Sequence, residues 1–471
     1  MARQCRLRAI GGHWVCVVLM LCLGVTLYCR QLYRLSADVV SDERVAATLE
    51  RRCSDNILGR PLAGRSCPQE PIDVVYTWVN GSEPRHRALL HDILRRLGRA
   101  PSADAVSPYR FADNNELLYS LRSLESHAPW VRHVYLVTNG QVPYWLDLNN
   151  PHITVVTHQE IFINSSHLPT FSSPAIESHI HRIRGLSNRF LYLNDDLLLG
   201  QPFWLEDLVS PSGSYTIYLD SVIRRSPRNN AFYSSLRHTD RVLSARYGPA
   251  PRHMIAHVPF LLDRQLVAEL QQNFAAAFEV TSASRVRSPT DIQYPMAYSY
   301  FLMSERRPLR PEELFDQLDV DDSGGWSASE VRTALTRLRS LPLTSADVAN
   351  FTLVLRSCSG GRPSEEVLSR SALLACRPVL EELLGRLGGR HRFRYRLGRR
   401  ADWSTKLLPP EPARAAAMLD QIRRSTPKFI VLNNKFAGAA ADPVRQVSQL
   451  MQQLFQALFP RPSQFEWRGG P

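Results

Sequence analysis

The residues best suited to chemistry are those that interrupt buried patterns. Asp195 and Asp196 follow the apolar run RFLYLN. A strand that apolar belongs in the middle of a sheet, and two acids at its end are costly unless they bind something. A divalent cation bridging two phosphates is the natural partner; the alternative is a pair of acids capping the next turn. Glu177 and His181 stand four apart in a predicted helix and share a face, as a surface pair or as an active-site pair. His257 lies inside the run IAHVPFLLD, as a satisfied core histidine or as a catalyst. Arg287, in SRVRSPTD, is not notable by pattern alone. Farther on, DVDDSGGWSASE places Asp319, Asp321 and Ser323 at loop positions one, three and five. Gly324 takes the sharp turn, Gly325 offers its carbonyl, and Glu330 closes the loop. Oxygen ligands at this spacing suit Ca²⁺. No GxSxG, P-loop or HExxH pattern is present.

These residues need elements to hold them. IDVVYTWV reads as a buried strand, ending in the turn NGSEP. HRALLHDILRRL has helical spacing. DNNELLYSLRSLESHAPW opens on cap residues and puts Leu117, Leu121 and Leu124 on one face. HVYLVTNG, HITVVTH and RFLYLNDDLLLG read as strands, and SSPAIESHIHRI starts a helix with Pro174 near its first position. Strands alternating with helices predict an α/β domain with a largely parallel sheet. Ligands in such sheets bind beyond the carboxyl ends of the strands. PEELFDQL and SEVRTALTRL are helices flanking the acidic loop. Near the end, KFIVLNN is a strand, and DPVRQVSQLMQQLFQALFP is an amphipathic helix expected to pack back on the catalytic sheet.

Composition bounds the rest. The chain has 471 residues, 44% of them apolar and 21% charged, which excludes a disordered chain or a multi-span membrane protein. The net charge is +13, but the arginines are spread rather than run into blocks, which argues against nucleic acid and for anionic small molecules. Residues 10–29 form one apolar stretch after Arg3, Arg6 and Arg8. At about 1.5 Å per residue it spans a bilayer core of roughly 30 Å, and the positive-inside rule keeps its short leading end cytoplasmic. We expect an uncleaved signal anchor and a lumenal remainder. Sequons at Asn80, Asn164 and Asn350 agree with this. So do the outer cysteines, for which Cys53–Cys67 and Cys358–Cys376 are the expected pairs, although four cysteines allow three pairings. The expected organisation is a tail (1–9), an anchor (10–29), a stem (30–70), a first catalytic part (71–306), an EF-hand-like calcium module (307–345), a helical spacer (346–424) and a C-terminal catalytic part (425–471).

Four blocks carry a resemblance. IDVVYTWVNGSEP, RFADNNELLYSLRSLESHAPWVRHVYLVTNG, LPTFSSPAIESHIHRIRGLSNRFLYLNDDLLLG and KFIVLNNKFAGAAADPVRQVSQ resemble the blocks of the Stealth family of hexose-1-phosphate transferases. The similarity covers most of residues 71–306 and 425–466. It implies a Rossmann-like or GT-A-like nucleotide-sugar transferase core with an inserted helical EF-hand-like region, behind the transmembrane helix. It also implies a reaction. A hydroxyl of a glycan, mannose C6 on lysosomal enzymes, would attack the β-phosphorus of UDP-N-acetylglucosamine and release UMP. The match carries over Glu177, Asp196, His257 and Arg287 as catalytic residues. Arg287 would neutralise the transferred phosphate, His257 or Asp196 would accept the acceptor's proton, and Glu177 would orient the acceptor or a partner side chain. Asp73, Trp78, Asn80, Gly81, Asn114, Asn115 and Asp195 resemble the donor side of the site. A glycan on Asn80 would block that donor, so Asn80 is expected to be bare. Implied cofactors are Ca²⁺ at Asp319, Asp321, Ser323, Gly325 and Glu330, and Mg²⁺ or Mn²⁺ with the UDP-sugar. Implied partners are the donor, a glycoprotein glycan, the Golgi membrane, and a second copy or accessory subunit, with no nucleic acid. Large animal members carry a long insertion between the acidic pair and the histidine block; here only residues 197–256 intervene, which leaves no room for a module selecting lysosomal enzymes. The rival expectations are a sugar transferase that releases UDP and a catalytically silent calcium-binding Golgi scaffold.

Overall fold

A computed structural model of the chain describes residues 54–62, 70–97, 105–107, 111–223, 230–339, 341–358, 368–387, 389–434, 436 and 439–467. The expected tail, anchor and most of the stem, with Cys53 and Cys67, lie outside the described residues. Among the described residues no helix is long and apolar enough to cross a membrane.

The central sheet has five strands: β1 (Asp73–Thr77), β2 (Val134–Thr138), β3 (Ile153–Thr157), β4 (Arg189–Asn194) and, later in the chain, β7 (Phe260–Asp263). Their order is β3-β2-β1-β4-β7. The first four are parallel, and β7 closes one side antiparallel to β4. The strand sequences are apolar on both faces because both faces are covered. Val74, Tyr76, Leu191 and Leu193 point into one core, and Val75, Phe190 and Tyr192 into the other. The helix Glu116–His127 lies on the first face through Leu117, Leu121 and Leu124, as its spacing predicts.

The helix expected after Pro174 is short. It spans Ser173–Glu177 and gives way to a single tight turn at Ile180–Arg182. The carbonyl of Ser178 accepts from Arg182 (3.1 Å) and Gln271 (2.5 Å) instead of continuing a helical ladder. Glu177 and His181 therefore do not share a helix face.

A second, three-stranded sheet joins distant parts of the chain. The strand Phe429–Asn434 pairs in parallel with Trp403–Leu408 and antiparallel with β5 (Leu197–Leu199). The C-terminal helix Ala441–Leu458 buries Val447, Met451, Leu454 and Phe455 against this sheet, beside Leu198, Ile430 and Leu432. It thus packs on the second sheet and not on the five-stranded one.

The segment expected to be a spacer divides in two. Residues 345–358 and 368–387 belong to the acidic-loop module: Phe351, Leu355, Leu373, Val379 and Leu383 share a core with Leu314, Phe315, Trp326 and Leu335. In that module, Gly325–Trp326 of the acidic loop pairs antiparallel with Leu368–Ser369, which lies between two further helices. The module is therefore two helix–loop–helix units set against each other, and the expected Cys358–Cys376 disulfide ties the second. Residues 395–408 instead join the catalytic body. Tyr395–Leu397 pairs in parallel with β6 (Tyr215–Ile217), and Trp403 enters the main core.

Candidate functional site

The carboxyl ends of β1 to β4 open into a cavity of about 870 Å³. Glu177, Asp196, His257 and Arg287, which come from four separate segments, all line it. The turn after β4 delivers Asp196 to this edge, and the antiparallel strand Phe260–Asp263 brings His257, just before its start, to the same edge.

The centre is a hydrogen-bonded chain. Tyr192, fully buried at the end of β4, bonds to Glu177 and to Thr77 (3.1 Å). Its hydroxyl accepts from the Asn194 amide at 3.1 Å. The Asn194 oxygen meets His257 Nε2 at 2.7 Å. With its amide donating to Tyr192, Asn194 turns its carbonyl to His257, so Nε2 carries the proton and Nδ1 holds the lone pair. Asp196 Oδ1 lies 3.7 Å from the same Nε2. Glu177 is 8% exposed, and burial pushes its pKa up to about 7, against the lowering influence of Arg287 and of Tyr192. The loop bearing Arg287 is pinned by Asp291, which accepts from Ser172 (2.9 Å), Ser284 (2.6 Å) and the Ser288 amide (2.8 Å).

A second group is acidic. Asp195 is held well above the usual carboxylate range by burial and by the neighbouring Asp196, Glu116 and Asp113. Glu116, in the cavity wall, is pushed up to about 7 by burial despite donors from Asn114 at 2.5 and 2.7 Å. Asp196 Oδ1 is buried without a hydrogen-bond partner. A buried carboxylate oxygen of this kind, next to Asp195, is a hard donor that suits Mg²⁺ or Mn²⁺, but these acids do not gather three ligand atoms within 4.8 Å as the acidic loop does.

The expected donor residues separate. Trp78 lines the cavity and donates to Asp113 (3.3 Å), and Asp195 lines it too. Asp73 does not: it sits at the amino end of β1, buried, tying Arg132 (2.8 Å) and the Ser187 amide (2.7 Å). Asn80 is outside the cavity lining, folded into a turn where its side chain accepts from Ser82 (2.9 Å). Gly81 is likewise outside, but a Cβ there would stand 2.2 Å from Cβ of Phe111, which does line the cavity. Asn114 turns to Glu116 and Ser448, and Asn115 is a left-handed residue (φ 62°) before the helix; neither lines the cavity. From the same turn, Ala112 and Glu116 line the cavity instead. His86, His158, Asn139, Phe111 and Phe171 complete that end. Residues 400–407 fall in the expected helical spacer, yet Arg400, Trp403, Thr405 and Leu407 form part of the wall.

In the acidic loop, oxygens of Asp319, Asp321 and Glu330 lie within 4.8 Å of one another. Gly324 takes φ +80°, and Ser323 Oγ donates to the Gly325 carbonyl at 2.8 Å. The side chains and turn expected of a calcium loop are thus brought together.

Four conserved regions of the Stealth proteins match this chain: region 1 over residues 70–98, region 2 over 110–217, region 3 over 256–304 and region 4 over 420–471. An exopolysaccharide phosphotransferase of Streptomyces coelicolor is 40% identical over 257 residues, 53% of this chain and 43% of that one. The N-acetylglucosamine-1-phosphotransferase subunits alpha/beta of Homo sapiens are 57% identical over 126 residues, 27% of this chain and 10% of that one. The chain thus spans less than half the length of these curated relatives. A galactosyltransferase solved with donor and acceptor sugar analogues aligns with a TM-score of 0.27 at 10% identity, over 48% of this chain and 70% of that one, too distant to bear on the fold.

Proposed function

The chain belongs to the Stealth family, and from that premise we propose that it transfers a hexose 1-phosphate from a UDP-sugar to a glycan hydroxyl and releases UMP. N-acetylglucosamine 1-phosphate is the proposed group and mannose C6 the proposed acceptor position. One observation carries the reading: Glu177, Asp196, His257 and Arg287 line a single cavity at the carboxyl edge of the sheet.

Phosphoryl transfer is mostly positioning and charge neutralisation. Arg287 places a fixed positive charge in the wall, where charge builds on the transferred phosphate. His257 Nδ1 takes the proton of the attacking hydroxyl, while Asn194 holds the ring in the tautomer that leaves Nδ1 free of hydrogen. Asp196 lies close enough to stabilise the imidazolium that results. Glu177 holds Tyr192 and, through it, the Asn194–His257 pair. Asp195 and Asp196 would contact Mg²⁺ or Mn²⁺ carried in with the UDP-sugar, which supplies charge neutralisation at the diphosphate when bound. Ca²⁺ at Asp319, Asp321, Ser323, Gly325 and Glu330 is proposed as a structural ion of the acidic-loop module. We also propose a Golgi location, with residues 10–29 as the anchor and the cavity in the lumen.

The test uses full-length protein, UDP-N-acetylglucosamine labelled in its β-phosphate, methyl α-mannoside and Mg²⁺ or Mn²⁺. Label in the mannoside together with UMP, both lost in Asp196→Asn and His257→Ala, is the expected result. Release of UDP makes the chain a sugar transferase and overturns the proposal.

A further inference from the structure

The cavity wall is built from two kinds of chain. All four catalytic candidates and the whole nucleotide-side wall fall inside the conserved regions. Asp220, Phe232, Met254, Arg400 and Trp403 line the same cavity from segments that no conserved region covers.

Those segments meet at one rim. The Gly398 amide donates to the Ile217 carbonyl at 2.9 Å. The Tyr218 ring stands 2.3 Å from where a Gly398 Cβ would be, so only glycine lets the two strands lie so close. Arg400, two residues beyond Gly398, and Asp220, two residues beyond Tyr218, both line the cavity from these apposed segments. The Ala256 amide donates to the Tyr218 carbonyl at 2.9 Å, which ties the rim to His257 next in the chain. The opposite end of the cavity, at the tips of β1 and β2, is enclosed by Phe111 and Phe171 around a buried His86. The reacting acids, at the tip of β4, lie between the two ends.

We propose that this rim is the acceptor subsite, and that Asp220 and Arg400 recognise a neutral hexose. The inference rests on the phosphotransfer reading. Arg400 lies over the Trp403 indole at 3.8 Å and donates one N–H to the Trp403 carbonyl at 2.8 Å. Its guanidinium is therefore held in place with donors to spare. Asp220 is an exposed carboxylate that accepts only. A donor fork and an acceptor pair lining one cavity suit sugar hydroxyls, each of which donates and accepts. The presence of both charges in the lining favours a neutral ligand over an anion. Phe232, half-buried, and Met254 supply apolar surface for the C–H face of the ring.

The experiment measures binding of methyl α-mannoside and methyl α-galactoside to the full-length protein by saturation-transfer NMR, with UDP binding measured in parallel. Saturable hexoside binding is expected, weakened tenfold or more in Asp220→Asn and in Arg400→Gln, with the UDP Kd changed less than twofold. Asp220 is exposed, so Asp220→Asn removes no packing; Arg400→Gln loses the stack on Trp403, so Asp220→Asn is the decisive variant. Hexoside binding unchanged by both variants overturns the proposal, as does absence of hexoside binding or an equal loss of UDP binding. The reaction itself is judged separately by UMP release. Variant-sensitive hexoside binding without UMP sustains the subsite and refutes phosphotransfer; UMP release with variant-insensitive hexoside binding does the reverse.

Discussion

Replacing Glu177 with glutamine should stabilise the protein, and only above acidic pH. The carboxyl is 8% exposed, and its pKa rises from 4.5 to about 7 on folding, mainly through burial. The folded state therefore holds this proton more tightly than the unfolded chain does, and stability falls as pH rises between the two values. Below pH 4.5 the group is neutral in both states and the penalty is absent. Above pH 7 the penalty is complete, and at 1.36 kcal/mol per unit the shift is worth about 3 kcal/mol. Glutamine keeps the size and an acceptor for Tyr192 but cannot ionise. Thermal melts of the donor-free protein should show Glu177→Gln several degrees more stable at pH 8.5 and level with the unaltered chain at pH 4.5, while transfer activity falls. An equal gain at both pH values, or a loss at pH 8.5, would refute the argument that burial, and not Arg287, dominates this carboxyl.

Further predictions follow from the same geometry. Tyr192→Phe removes the hydroxyl that joins Glu177, Thr77 and Asn194; kcat should fall about 10- to 100-fold with little change in donor KM, the pattern expected when a supporting hydrogen bond is lost. Gly81→Ala forces Cβ against the Phe111 backbone and side chain; it should cost about 1–3 kcal/mol in urea unfolding and raise the donor KM. Calcium should raise the melting temperature of the full chain, and Asp319→Asn, by weakening a ligand that also accepts from Ser323 (3.0 Å) and Gly324 (2.9 Å), should abolish most of that gain.

The sheet was legible because buried parallel strands announce themselves as apolar runs, and Glu177, Asp196, His257 and Arg287 were reached through the family blocks around them. Their neighbours were not. Asn114 and Asn115 stand beside Glu116 in one turn, and no periodicity there distinguishes the side chain that faces a cavity from those that cap a helix. Asp73 reads as a site acid, yet β1 points its other end at the cavity, and only strand direction decides between them. His181 was placed by assuming a helix that stops at Glu177. Residues 395–408 hid for another reason. Their strand partners lie far back in the sequence or beyond the next helix, so their own pattern is exposed and rich in arginine. Lone strands of this kind take their meaning from a neighbour that is absent from any local window.

The pairing of Leu197–Leu199 with Phe429–Val431 has a consequence for synthesis. The acidic pair is synthesised long before the partner of the strand that it leads into. Until that partner arrives, the edge of β5 stays unsatisfied and the wall formed by Leu432, Asn433 and Asn434 is missing. Long-range pairing of this sort carries its loop-closure entropy late and slowly. A nascent chain arrested before Phe429 therefore holds its carboxylates in a trough that lacks one wall.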